Sequence, residues 1–121
     1  MFLRIEKVED VAIVAPLADS LDASSVKEFK REVGPVISAN SKVALDMSHL
    51  KFVDSSGLGA ILSCLRQLNS AGGDLKLFAV TKPVRSLLEL VRMHRIFDIL
   101  NSREEALTAF GLHVHSNAVS L

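Results

Sequence analysis

Residues 42–73, KVALDMSHLKFVDSSGLGAILSCLRQLNSAGG, place a short β-prone run ahead of a longer amphipathic segment. KVALDM at 42–47 predicts a buried strand, although a run this short does not separate strand from helix by its pattern alone. A strand that leads into a helix is the repeating unit of an α/β fold. The helix that follows is predicted to end at the glycine pair 72–73, and its apolar stripe consists of Leu58, Ile61, Leu62, Leu65 and Leu68.

The chain before this unit predicts two further strands and a helix. FLRIEKVEDVAIVAPL at 2–17 has apolar stretches on both sides of a polar centre, which is typical of an antiparallel strand pair. Pro16 should lie at a strand end or edge because it cannot donate a hydrogen bond to the sheet. The next segment, 22–39, has helical periodicity. We expect Asp22 to be its N-cap, and the Gly-Pro pair at 34–35 to break or kink it.

The chain after this unit repeats the alternation of strand and helix. LKLFAV at 75–80 predicts a strand, and Pro83 fits the first turn of a third helix. FDIL at 97–100 allows a short strand, and Ser102 with Glu105 has the spacing of a capping box that opens a last helix. We therefore predict an α/β domain with a mostly parallel, mixed sheet of four to five strands, an N-terminal antiparallel pair and about four helices.

Length and composition limit the class of protein. A chain of 121 residues is long enough for one domain with its own core, and we assign residues 1–121 to it, with a loose tail from about residue 112. Fourteen Lys and Arg residues balance fourteen Asp and Glu residues without a basic cluster, so nucleic acid is not an expected partner. No apolar run has the length of a membrane-spanning helix, and a lone cysteine suits a reducing compartment. We expect a cytoplasmic protein that does not use a membrane.

The stretch VDSSGLG at 53–59 lies where a parallel sheet usually carries its function, in the loop between a strand and a helix. Asp54 or Ser55 would cap the helix. Free N–H groups and the positive helix end would then favour an added negative charge, such as a phosphate on a serine. The structural alternative is that these residues only cap a helix, which is their commonest role.

The stretch 53–59 lacks the residues that the known catalytic motifs require. A nucleophile elbow requires glycine two positions before the serine, and that place holds Val53 for Ser55 and Asp54 for Ser56. A phosphate-binding loop requires a lysine after the glycines or the spacing G-x-G-x-x-G, and the stretch has neither. We expect no enzymatic activity and no cofactor. A small enzyme with Ser55 or Ser56 as nucleophile is kept as the hypothesis from another class.

The stretch LDMSHLKFVDSSGLGAIL at 45–62 resembles the signature of the STAS domain family, and in particular of the bacterial anti-sigma factor antagonists. The resemblance extends over SLDASSVKEF, GGDLKLFAVTKPVRSLLEL and RIFDILNSREEAL, which is nearly the whole chain. It implies a single STAS-like domain in which Ser55 matches the phosphorylated position and Asp22 an acidic residue at the partner-binding edge. The remaining motif residues implied in partner binding are Asp54, Ser56, Gly57, Leu58 and Gly59.

The same resemblance implies a regulatory circuit. The unphosphorylated chain would bind an anti-sigma factor that is a serine kinase of GHKL type and so release a sigma factor. Phosphorylation of Ser55 would end the binding, and a PP2C-type phosphatase would reset it. The alternative circuit keeps the kinase but controls secretion, motility or biofilm formation without a sigma factor. Asp19 and Arg92 stand where the family commonly has glycine, so they should lie near surfaces that select a partner.

Histidine and cysteine residues give no metal or thiol site. His113 and His115 alternate as on a strand, but no third ligand has convincing spacing, so we predict no metal site. Cys64 borders the apolar stripe of the central helix and has no neighbouring base in the sequence, which indicates a packing role.

Overall fold

A computed structural model describes residues 2–113 of the chain, and its elements follow the predicted alternation. The strands are β1 (Leu3–Val8), β2 (Val11–Pro16), β3 (Ser20–Leu21), β4 (Lys42–Asp46), β5 (Phe52–Val53), β6 (Asp74–Phe78) and β7 (Asp98–Leu100). The helices within these residues are α1 (Val26–Ala39), α2 (Ser55–Ser70), α3 (Lys82–Leu90) and α4 (Arg103–Ala109). A short 3₁₀ turn, Met93–Arg95, leads into β7.

The main sheet has five strands in the order β1-β2-β4-β6-β7. The pair β1 and β2 is antiparallel, and every other pairing in this sheet is parallel. This arrangement confirms the predicted fold class. Pro16 ends β2, as expected for a residue without an N–H donor. Because β2, β4 and β6 are parallel, their carboxyl ends lie at one edge of the sheet, which we call the carboxyl edge.

Helices cover both faces of the sheet. On β2, Ala12 and Val14 belong to the apolar cluster formed with α1, α2 and α3, whereas Val11 and Ile13 belong to the cluster formed with α4. Successive side chains of a strand point to opposite faces, so a strand buried on both faces has no polar alternation. This explains why every residue of β2 is buried.

The predicted N-cap of α1 is wrong, and the Gly-Pro pair at 34–35 does not break the helix. Ser25, not Asp22, is the N-cap residue, and α1 continues through Pro35 to Ala39. The Asp22 carbonyl accepts hydrogen bonds from the Ser25 and Val26 N–H groups, so Asp22 opens a turn that precedes the helix. Pro35 is exposed, while Val36 and Ile37 beside it are buried. The carbonyl that loses its partner can therefore bond to water, and packing of the apolar face maintains the helix.

The connection between β4 and α2 contains a strand that the sequence did not predict. Phe52 and Val53 of β5 pair in parallel with Ser20 and Leu21 of β3, and these four residues form a second, two-stranded sheet. Pairs this short show no periodicity, so pattern analysis assigns them to loops. This small sheet brings the segment before α1 against the segment before α2.

A buried charge lies at the opposite edge, where β6 begins. The Lys76 ammonium is 2.7 Å from an Asp98 carboxylate oxygen and 3.1 Å from one of Asp74, and it lies 5.0 Å from the centre of the Phe110 ring. Burial opposes the charge, but the two carboxylates outweigh it and raise the pKa of Lys76. The contacts satisfy this lysine within the fold.

The C-terminal tail lies outside the described residues from position 114, so its predicted looseness stays a prediction. Leu112 is held against α4, because its N–H donates to the Leu107 carbonyl at 3.0 Å and its side chain packs against the apolar cluster around that helix. Across residues 2–113, no helix combines the length and the apolar character needed to cross a membrane.

Candidate functional site

The N-terminus of α2 lies at the carboxyl edge and is capped by Asp54. One Asp54 carboxylate oxygen accepts a hydrogen bond from the Gly57 N–H at 2.9 Å, and the Asp54 carbonyl accepts one from the Leu58 N–H at 2.9 Å. Of the two predicted caps, the structure therefore uses Asp54. Ser55 is the first helical residue, and both Ser55 and Ser56 are exposed.

Asp54 also joins two loops. Its second carboxylate oxygen accepts a hydrogen bond from the Ala23 N–H at 3.1 Å, and its own N–H donates to the Leu21 carbonyl at 3.3 Å. The loop after β3 is thereby fixed beside the start of α2. This contact brings Asp22 and Ser55, predicted separately along the chain, to the same edge of the sheet.

Serines organise the loop that carries Asp22. The Asp22 carboxylate accepts hydrogen bonds from the Ser24 hydroxyl at 2.6 Å, the Ser24 N–H at 3.0 Å and the Ser20 hydroxyl at 3.2 Å. The hydrogen bond from the Ser24 side chain is the main cause that holds the pKa of Asp22 below its usual value. Asp22 therefore presents a fixed negative charge at the carboxyl edge.

The two glycines of the motif have different surroundings. Gly57 is buried, and a methyl group there would clash with the Leu21 carbonyl oxygen and lie 2.9 Å from a Val53 methyl carbon. Gly59 is exposed, and a methyl group there would meet no atom within 4 Å. Gly57 thus permits α2 to approach β3, whereas Gly59 keeps the helix surface low. Leu58 is also buried and belongs to the core.

Sequence analysis missed Phe52 as a surface residue of this edge. Its side chain is 55% exposed, although Val53 beside it is buried. The Asp19 carbonyl accepts hydrogen bonds from the Lys51 and Phe52 N–H groups, and the Asp19 carboxylate lies 3.6 Å from the Lys51 ammonium. Successive side chains of a strand point to opposite faces, so an assignment of 52–53 as a strand would have predicted that one of these two apolar side chains is exposed. An exposed aromatic ring three residues before Ser55 is a contact that a protein partner can use.

Within residues 2–113, no hydrogen bond joins the Ser55 or Ser56 hydroxyl to a carboxylate or a histidine ring. The two Asp54 carboxylate oxygens each accept a backbone N–H group. The His49 ring lies 3.4 Å from the Ser48 hydroxyl through Nδ1. Cys64 is buried, and burial raises the pKa of its thiol to about 11. Residues 2–113 contain no group of three or more potential metal ligands.

Comparison with known proteins connects this geometry to a family. The family model described as STAS domain matches residues 3–106, which include both sheets and the α2 N-terminus. This chain belongs to the STAS domain family. The predicted resemblance is therefore confirmed.

Three proteins similar to this STAS domain are named as anti-sigma factor antagonists. BtrV of Bordetella bronchiseptica, provisionally named an anti-sigma factor antagonist, is 28% identical over 91% of this chain and 95% of its own. The anti-sigma F factor antagonist of Paenibacillus polymyxa is 36% identical over 54% of this chain and 56% of its own. A crystal structure is known for a Thermotoga maritima protein that is also provisionally named an anti-sigma factor antagonist. Its sequence is 27% identical to this chain. The structure superimposes with a TM-score of 0.85 over 91% of this STAS domain and 95% of that chain.

Proposed function

We propose that the chain is an anti-sigma factor antagonist whose binding is controlled by phosphorylation of Ser55. In this function the unmodified chain binds an anti-sigma factor that is also a serine kinase of GHKL type, and so releases the sigma factor. Phosphorylation by that kinase ends the binding, and a PP2C-type phosphatase restores it. The names of the relatives support the anti-sigma assignment.

The observation that carries the proposal is the position of Ser55. Its side chain is exposed on the first residue of a 16-residue helix whose cap is already provided by Asp54. The hydroxyl is therefore free for modification without loss of the cap. A phosphate there would add about −1.5 to −2 charges beside the positive end of the helix. Favourable helix-end electrostatics of ~0.3 to 1 kcal/mol would offset part of the repulsion from Asp54, so the modified domain should stay folded.

A docked partner would experience the phosphate differently. The surface that surrounds Ser55 is uncharged at Ser56, Gly59 and Phe52, and all three are exposed. A partner that fits the small Ser55 hydroxyl would have to bury a doubly charged phosphate, or place its own groups against it, at the same position. A hundredfold loss of affinity requires only ~2.7 kcal/mol, which is within the cost of such a mismatch at an interface.

The test begins with co-purification of the chain from its native host and identification of the bound kinase by mass spectrometry. Ser55→Ala should bind that kinase and resist ATP-dependent release, while Ser55→Asp should bind poorly and keep the circular dichroism spectrum of the parent. Ser56→Ala is the matched control and should still accept one phosphate. Tight binding by Ser55→Asp would contradict the switch. A bound kinase that does not bind a sigma factor would contradict the anti-sigma function and support the alternative circuit, which controls secretion, motility or biofilm formation.

The docking surface has its own test in a pair of glycines. Gly59 and Gly34 both lie within helices, and an added Cβ at either position meets no atom within 4 Å. Gly59→Arg should weaken kinase binding because it raises the α2 surface beside Ser55. Gly34→Arg makes the same chemical change on α1 and should leave the affinity unchanged. Equal affinities for both variants would remove Gly59 from the interface.

A further inference from the structure

Exposed apolar side chains cluster where α3 ends. Leu90 is 80% exposed, Val91 45% and Ile96 52%, and all three lie close together in the sequence on either side of the 3₁₀ turn. Burial of one such side chain against a partner is favourable, whereas exposure of three in one short segment is costly in water. We define the α3-exit patch as Leu90, Val91, Arg92, His94, Arg95 and Ile96, each of which is exposed.

The two arginines inside the α3-exit patch are both positive, and the exposed Glu89 borders the patch at the end of α3. Arg92 and Arg95 lie within the patch, together with His94, although the chain as a whole has a formal net charge of zero. Among residues 2–113, the ion pairs of the structure involve neither of these two guanidinium groups. Two uncommitted guanidinium groups beside exposed apolar side chains complement a surface that presents carboxylates next to apolar side chains.

The backbone at Arg92 adopts a conformation that favours glycine. Arg92 has φ +62°, in the left-handed region that favours glycine, and it immediately follows the last turn of α3. Glycine would adopt this conformation without the steric cost of a side chain. Strained residues of this kind concentrate at functional positions. Arginine at this position places a guanidinium group on the exposed surface at the end of α3.

The α3-exit patch lies at the edge opposite to Ser55. Helix α3 begins near the carboxyl edge, where the Thr81 hydroxyl donates to the Leu50 carbonyl at 2.7 Å. The chain then returns to the start of β7, which is parallel to β6, so the patch lies at the amino ends of the strands. A protein docked at Ser55 therefore leaves this surface free.

We propose that the α3-exit patch is a second docking surface, which binds an acidic peptide segment with apolar side chains from another protein. Because it lies at the edge away from Ser55, its binding does not depend on the phosphorylation state. A membrane is the less suitable occupant, since two arginines supply only ~1 kcal/mol each toward an anionic bilayer. The chain also contains no Trp or Tyr, the side chains that commonly anchor proteins at a bilayer surface.

The experiment selects ligands from a random peptide display library on the full chain and measures the affinity of the enriched peptides by fluorescence anisotropy. Enriched sequences should combine Asp or Glu with apolar residues. Arg95→Glu and Leu90→Ser should each weaken binding by about five- to tenfold. Arg66→Glu is the matched control on exposed α2 surface and should leave affinity unchanged, as should Ser55→Asp. Arg92→Gly should weaken binding and yet raise the urea midpoint, because it relieves the positive φ.

Several outcomes would overturn the proposal. They are a library without enrichment, enriched peptides that are not acidic, and an equal loss of affinity for Arg66→Glu and Arg95→Glu. Phosphatidylserine vesicles that bind the parent chain but not Arg95→Glu would assign the patch to a membrane. Self-association in sedimentation, abolished by Leu90→Ser, would assign it to a second copy of the chain.

Discussion

Two glycines in α2 should respond differently to the same substitution. Replacement of glycine by alanine within a helix gains up to about 1 kcal/mol from the helix propensity of alanine. Gly59→Ala should obtain most of this gain because its Cβ meets no atom within 4 Å. Gly57→Ala places the same methyl group against the Leu21 carbonyl and 2.9 Å from Val53, so α2 must move away from β3. Overpacking of a buried contact costs about 1 to 3 kcal/mol.

The difference between the two variants largely isolates the clash, since both receive the same methyl group in the same helix. We expect Gly57→Ala to be less stable than Gly59→Ala by about 1 to 3 kcal/mol, or roughly 4 °C in Tm for each kcal/mol. Urea unfolding followed by circular dichroism measures both free energies, and equal m-values would show that the unfolding transitions are comparable. Gly57→Ala with a stability equal to or above that of Gly59→Ala would refute the close approach of α2 to the Leu21 carbonyl.

The remaining predictions concern the cap, the thiol and catalysis. Asp54→Ala should lower the free energy of unfolding by about 1 to 2 kcal/mol, whereas Asp54→Asn retains an N-cap acceptor and should lose less; equal Tm values for the two variants would contradict the capping role. The Cys64 thiol should not react with Ellman's reagent at about pH 8, because burial raises its pKa to about 11. Because the folded state favours the neutral thiol, its contribution to stability is complete below the unfolded pKa of 9.0 and should be lost as the pH rises toward 11. The free energy of unfolding of the parent chain should therefore fall more steeply over this pH range than that of Cys64→Ala. Identical alkaline stability profiles for the two proteins would contradict the raised pKa. The isolated chain should neither hydrolyse esters nor turn over ATP, and steady turnover abolished by Ser55→Ala would restore the enzyme hypothesis.

The sequence predicted those parts of the fold that depend on neighbours in the chain. The apolar stripe of α2 and a cap at Asp54 or Ser55 follow from residue spacing, and the structure contains the stripe and uses Asp54 as the cap. Ser102 accepts from the Glu105 N–H at 3.1 Å, as its capping-box spacing predicts. The alternative of a break at Pro35 does not occur because Pro35 lies on an exposed face of α1, and the orientation of that face depends on packing against the sheet.

The candidate site required contacts between segments that are distant in the sequence. The hydrogen bond from Ala23 to Asp54 joins two loops, and no local pattern predicts it. The burial of Gly57 depends on the Leu21 carbonyl, which reaches it only through the pairing of β3 with β5. Phe52 was missed for the same reason, since its exposure follows from a strand of two residues.

The affinity of the phosphorylated chain for its kinase tests the central claim most directly. The chain is incubated with the co-purified kinase and ATP, the modified residue is located by peptide mass mapping, and the isolated phosphoprotein is titrated against the kinase in a calorimeter beside the unmodified chain. The account predicts phosphate on Ser55, an unchanged fold, and an affinity lower by about a hundredfold or more, as a cost of ~2.7 kcal/mol requires. Phosphate on Ser56 alone, or tight binding by the Ser55-phosphorylated chain, would contradict it.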